Sequence, residues 1–185
     1  SVASPKGKFS DSQQKELKNL GVDINIFSIS SSGLNFFEDC KTIYRIYKII
    51  HNTKPNIIIS YTVKPVIYTG LVLKFFKKIS YFPLITGLGY VFIDRNKIKH
   101  KIIKYLTIKL YKISLKSSSK TIFQNKDDQT LFCKLKIIKG KDISNVVNGS
   151  GIDLNAYPLS DLPTKPIFAF STIEASAPSS NTWSP

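Results

Sequence analysis

Four short segments of this 185-residue chain set hydroxyls, amides, an ammonium and glycines at the ends of apolar runs. Tyr61-Thr62-Val63-Lys64-Pro65 places a hydroxyl and a lysine where a strand gives way to a helix, and a helix N-terminus beside a lysine suits an anion. The same residues fit a plain helix start, with Thr62 as the cap and Pro65 in the first turn. In Thr86-Gly87-Leu88-Gly89-Tyr90, two glycines two apart let backbone amides approach a ligand, and Tyr90 offers a stacking or hydrogen-bonding face. A tight turn needs the same composition. The segment is not a dinucleotide fingerprint, because Phe92 stands where the third glycine would be. Gln124 and Asn125 could bond the hydroxyls of a polar ligand such as a sugar, while Asn125 as a cap with Asp127 and Asp128 facing the helix dipole is the plainer account. Gly149, Gly151 and Asp153 belong to a Gly-rich stretch leading to Pro158 and Pro163, the composition of an interdomain hinge.

The elements that must position these segments alternate along the chain. Ser12 to Leu20 is polar and helix-forming and ends at Gly21 as a C′ residue, and Val22 to Phe27 then alternates as a strand does. Phe36, Cys40, Ile43, Tyr47 and Ile50 set one apolar stripe on a helix from Asn35 to His51, stopped by Lys54-Pro55. Asn56 to Tyr61 is a nearly continuous apolar run, which predicts a strand buried on both faces of a parallel sheet. Further helices are expected over Pro65 to Lys78, Lys97 to Leu115 and Asp127 to Leu135, the second with Ile102, Leu106, Leu110 and Ile113 on one side. Further strands are expected near Pro83, Ile122 and Val146. Strict alternation implies right-handed crossovers and a Rossmann-like α/β sheet, parallel and covered by helices on both faces. Ligands of such sheets sit beyond the carboxyl ends of the strands, where all four segments fall.

The net charge of +15, almost wholly from lysine, makes an anionic partner plausible: nucleic acid, an acidic lipid surface or a phosphate-bearing substrate. The lysines are spread along the whole chain and no nucleic-acid motif occurs, so a basic nucleic-acid or anionic-surface binding module is the second reading. A sugar epimerase is a third, without its fingerprint. Cys40 and Cys133 have neither CxxC spacing nor clustered histidines near them, which suggests no disulfide framework and no metal site and fits a reducing, cytoplasmic setting. His51 and His100 sit near lysines and read as solvated helix positions. The longest apolar runs fall short of the ~20 residues of a membrane span. The chain holds no Met, and no Lys or Arg follows Lys165, so we expect a natural start lying upstream and a foreign tail from Ala169 to Pro185.

In order, LKNLGV, SSSGLN, KPNIIISYTVKP, ITGLGYVF, LYKISLK, IFQNKDD and GSGIDL before a proline resemble one family over about Gln13 to Pro158. These motifs are similar to those of the GT-B glycosyltransferases of family 4, in particular those extending undecaprenyl-diphosphate-linked sugars in capsule, O-antigen and glycan-precursor synthesis. The resemblance implies the N-terminal half of a GT-B fold, truncated at both ends: residues 1–158 as an incomplete acceptor-side domain, and 159–185 as linker and aberrant tail. It also implies a retaining hexosyl transfer from a nucleotide-sugar to a lipid-linked saccharide, no cofactor, no nucleic acid, and a peripheral position at the inner face of the plasma membrane. Thr62, Lys64 and Pro65, with Thr86, Gly87, Gly89 and Tyr90, would then line the acceptor side of the cleft, and Gln124 and Asn125 would be further substrate contacts. The groups that stabilise the departing diphosphate would lie in the second domain, so the resemblance assigns no catalytic residue here and the fragment alone is expected to be inactive.

Overall fold

The computed structural model describes residues 1–5, 7, 9–27, 29, 35–92, 98–149 and 151. The chain divides into two units, Ser1–Gly151 and Ile152–Pro185, and the described residues belong to the first. The Ser30-to-Leu34 part of SSSGLN, together with Asp153 and the tail, lies outside them.

The chain forms an α/β fold, parallel in every strand pair. Strand β1 (Val2–Pro5), which the sequence did not announce, pairs with β2 (Ile24–Phe27). Between them runs α1 (Asp11–Asn19). Its start is a capping box: the Ser10 hydroxyl accepts from the Gln13 amide at 3.3 Å, and the Gln13 side chain accepts from the Ser10 amide at 3.0 Å. Its end is a Schellman motif, with the Val22 amide bonding the Leu17 carbonyl and Gly21 at φ +73. Then come α2 (Phe36–Thr53), β3 (Ile57–Tyr61), α3 (Val63–Val72), β4 (Ser80–Ile85), α4 (Ile98–Ser114), β5 (Thr121–Phe123), α5 (Lys126–Lys134) and β6 (Ser144–Val146).

Two departures from expectation have physical causes. The strands form not one sheet but two, β1-β2 and β3-β4-β5-β6. Among the described residues β3 pairs with β4 only, and its apolar run is covered on one face alone: Ile57, Ile59 and Tyr61 are 61%, 65% and 60% exposed. The intervening Ile58 and Ser60 turn toward the helices, as a period of two demands. On α2 the buried face is Thr42, Ile46 and Ile50, with Ile43 beside it, while Phe36, Cys40 and Tyr47 of the expected stripe are exposed. Thr42 tolerates burial because its hydroxyl bonds the Glu38 carbonyl at 2.8 Å, so no polar group is stranded.

The core lies between the four-stranded sheet and α3, α4 and α5. Phe123 of β5 meets Phe132 of α5 edge-on at 5.2 Å between ring centroids, and Tyr111 of α4 meets the same ring at 5.1 Å. Tyr81, fully buried on β4, donates to the Val66 carbonyl at 2.8 Å and takes the Ser60 hydroxyl at 2.7 Å. One phenol thus links β3, β4 and α3. Burial pushes it well above the ordinary tyrosine range, so it stays a neutral donor. Where α3 crosses α4, Gly70 faces Ser114, whose hydroxyl bonds the Ile67 carbonyl at 2.8 Å. Among the described residues, no helix is long and apolar enough to cross a membrane.

Candidate functional site

Parallel pairing of Tyr61 with Leu84, Ile85 with Phe123 and Phe123 with Val146 brings the carboxyl ends of β3 to β6 to one rim. The structure therefore sets Thr62, Thr86, Gly87, Gln124 and Asn125 immediately beyond neighbouring strand ends, followed by Gly149 and Gly151 after β6. Gly149 and Gly151 are both left-handed, with φ +76 and +77.

Thr62 is the strained residue of this rim. It holds the N-cap position of α3 at φ +67 and ψ 160, and its side chain makes no capping bond. A β-branched residue in this region, which glycine alone visits freely, stores about 1–3 kcal/mol. The plain reading of Thr62 as a helix cap is thus corrected: its backbone is bent so that the first-turn amides of α3 go without a hydroxyl partner from it. Pro65, third in the helix, lacks an N–H where none is used. Replacing Thr62 with glycine is expected to raise stability by about 1 kcal/mol, strain relief outweighing the added unfolded-state entropy. A lower urea midpoint for Thr62→Gly would show that the threonine side chain holds the turn.

Gly89, at φ +68, comes so close to α3 that a Cβ there would lie 3.2 Å from the Val63 side chain. The loop after β4 is thereby seated on the β3–α3 turn, with Gly87 (φ +153) open to its surroundings and Thr86 exposed. Tyr90 opens a short 3-10 turn, Tyr90–Phe92.

Lys64 does not stand open to a ligand. Its ammonium is 3.0 Å from Asp39 of α2, with both side chains mostly buried. Burial raises the Tyr68 phenol, one turn along α3, well above the ordinary range, and the same Asp39 carboxylate adds to the shift. Asp39 and Tyr68 are the residues the sequence left unmarked, since nothing local pairs positions 25 apart. Asn125 is likewise engaged: its carbonyl oxygen accepts from the Asp128 amide at 2.7 Å, and its amide donates to the Asp128 carboxylate at 2.9 Å. Asp127 and Asp128 sit in the first turn of α5 as a helix dipole favours. The Gln124 backbone N–H bonds the Ile85 carbonyl at 3.2 Å, tying the two strand ends together.

Of the histidines, His51 is exposed as expected, whereas His100 is buried on the inner face of α4. Among the described residues no three His, Cys, Asp or Glu side chains cluster as a metal site would require. The rim thus offers a strained turn, a loop with two left-handed glycines, amides and hydroxyls, and a lysine whose charge is already shared. Such a surface can hold a polar ligand against backbone groups. Among the described residues of the rim, no nucleophile and base are paired.

No family model matches the chain. It is similar to N,N'-diacetylbacillosaminyl-diphospho-undecaprenol alpha-1,3-N-acetylgalactosaminyltransferase of Campylobacter jejuni, with 26% identity over 147 residues, which is 80% of this chain and 38% of that protein. The chain therefore spans well under half the length of this curated relative.

Proposed function

We propose that this chain is the acceptor-side domain of a GT-B glycosyltransferase of family 4, which moves a sugar from a nucleotide-sugar onto a saccharide carried on a polyprenyl diphosphate, with retention of configuration. The observation that carries the reading is the similarity over 147 residues to a transferase named for an undecaprenol-diphosphate-linked acceptor. The rim described above supports it. Thr62 and Pro65 with Thr86, Gly87, Gly89 and Tyr90 are our acceptor contacts, Lys64 serving only through its ion pair with Asp39, and Gln124 and Asn125 lie beside them. Gly149, Gly151 and Asp153 form the hinge toward a donor-binding domain. Residues 1–158 would be the acceptor-side domain and 159–185 the linker and tail.

In this reading the rim positions and does not react. Sugar transfer requires stabilisation of the departing diphosphate. Lys64 is a poor candidate for that work because its charge is neutralised by Asp39. The chain orients the acceptor, and the basic groups for the donor belong to another domain. The work would be done at the inner face of a plasma membrane, in capsule, O-antigen or related glycan synthesis.

Calorimetric titration separates the two halves of the proposal. A water-soluble, short-chain polyprenyl-diphosphate saccharide should bind the chain at the micromolar level, and a panel of UDP-sugars should not bind through the millimolar range. Micromolar binding of a UDP-sugar, or no binding of the acceptor analogue, would overturn the assignment.

A further inference from the structure

Helix α4 is built the wrong way round for a helix whose outer face meets water. Its buried residues are His100, Thr107, Tyr111 and Ser114, while Ile98, Ile102, Tyr105, Leu106 and Ile113 are 77%, 54%, 57%, 45% and 37% exposed. At 3.6 residues per turn the five form one outward stripe. The apolar series expected to face the core therefore faces out at Ile102, Leu106 and Ile113, and Leu110 alone is half-buried against the core. Among the inner residues, Ser114 is kept small by the close crossing with α3, where it meets Gly70.

Charge surrounds the stripe. Lys99, Lys101 and Lys109 are exposed, as is Lys116 in the turn that follows, and Lys112 is half-exposed. No Asp or Glu occurs between Asp94 and Asp127. The Lys109 ammonium sits over the Tyr105 ring at 5.1 Å, so cation and aromatic share one patch. An apolar face with Lys99, Lys101 and Lys112 at its margins and Lys109 reaching outward from its middle matches a bilayer interface: the isoleucines and leucine enter the acyl boundary, tyrosine lies at headgroup level, and the lysines extend to the phosphates. A second copy of the same face would bring lysines against lysines with no carboxylate to relieve them, which disfavours a symmetric dimer here.

We infer that the outward face of α4, carrying Ile98, Ile102, Tyr105, Leu106 and Ile113 within its lysines, is a docking surface for an anionic lipid bilayer. The inference deepens the function proposed above, on which it rests for placing a membrane near the chain. Topology gives it a further consequence. As the crossover from β4 to the parallel β5, α4 begins at the carboxyl-end rim, so Ile98 and Ile102 are its residues nearest the candidate acceptor site. A lipid-borne diphosphate would then reach the rim from the surface on which α4 lies.

The test is sedimentation of the 185-residue chain with vesicles of phosphatidylglycerol and phosphatidylcholine, and with phosphatidylcholine alone. Binding should be confined to the anionic vesicles and weaken as salt is raised. The triple variant Ile98→Ser/Ile102→Ser/Leu106→Ser should lose at least tenfold in partitioning. Lys101→Gln/Lys109→Gln/Lys112→Gln should lose about fivefold per lysine. In case the serine variant unfolds, a bimane label on Ile102→Cys in a Cys40→Ser background reports the same contact. Its emission should shift to the blue on anionic vesicles, while a label on Gln14→Cys should not. Equal sedimentation with both vesicle types, wild-type binding by either triple variant, an unshifted Ile102 label, or a concentration-dependent dimer lost in the serine variant would each overturn the inference. The vesicles carry no saccharide lipid and the acceptor titration uses no bilayer, so failure of one leaves the other standing.

Discussion

Gly70→Ala is expected to destabilise the chain by about 2 kcal/mol, although alanine is the better helix former. A Cβ at position 70 would lie 2.6 Å from the Ser114 carbonyl oxygen and 2.7 Å from the Ser114 Cβ. Both obstacles belong to α4 near its backbone, so no flexible side chain can swing aside. The helices must separate, and separation also strains the bond from the Ser114 hydroxyl to the Ile67 carbonyl. Overpacking of this kind costs about 3 kcal/mol at the upper end of its usual range, against about 1 kcal/mol returned by helix propensity. A lowered urea midpoint with unchanged slope is the expected signature. A raised midpoint would mean that the crossing has room to spare. Because α4 also carries the outward stripe, the same variant should bind anionic vesicles less tightly only to the extent that it unfolds.

The second large effect concerns the ion pair beneath the rim. Asp39→Ala removes the carboxylate that both Lys64 and Tyr68 use and leaves an ammonium mostly shielded from water without its counter-charge. Breaking a fully buried pair from one side costs about 3–5 kcal/mol; with each side chain still partly exposed, we expect about 2 kcal/mol. The double variant Asp39→Leu/Lys64→Met should recover most of the loss, since apolar side chains of similar volume need no partner. Denaturation of the two single variants and the double forms a cycle. A double variant no more stable than Asp39→Ala would show that the carboxylate acts chiefly through Tyr68.

What was legible in the sequence was local. Gly21 ends α1 in the left-handed conformation its position implied, the Lys54-Pro55 pair closes α2, and five strands and five helices fall within a few residues of their expected places. Caps and apolar periods operate over one or two turns, so a linear pattern contains them. What escaped was set by partners distant in the chain. Apolar residues recur on more than one side of α2 and α4, and only the crossing with α3 selects the inward side. NIIISY has the composition of a strand covered on both faces, but composition does not tell which faces other elements will cover. Val2–Pro5 has too few residues to alternate and becomes a strand through pairing with β2. At the rim, the strand ends were foreseeable from βα alternation. The engagement of Lys64 by Asp39 and the strained backbone of Thr62 were not, since both depend on how α2 and α3 pack.

The all-parallel pairing also sets a timetable for folding. Each strand of the β3-β4-β5-β6 sheet meets its neighbour only after a crossover, so closure entropy is spent before any ladder bond repays it. Local helices such as α1 and α2 can form early, while sheet order waits on α3 and α4. Throughout that delay the outer edge of β3, with Ile57 and Ile59, is available for mispairing with other chains. The net charge of +15 opposes such encounters by keeping nascent chains apart. By this charge repulsion the lysines act on assembly as well as on binding, and raising ionic strength during refolding is expected to increase aggregation.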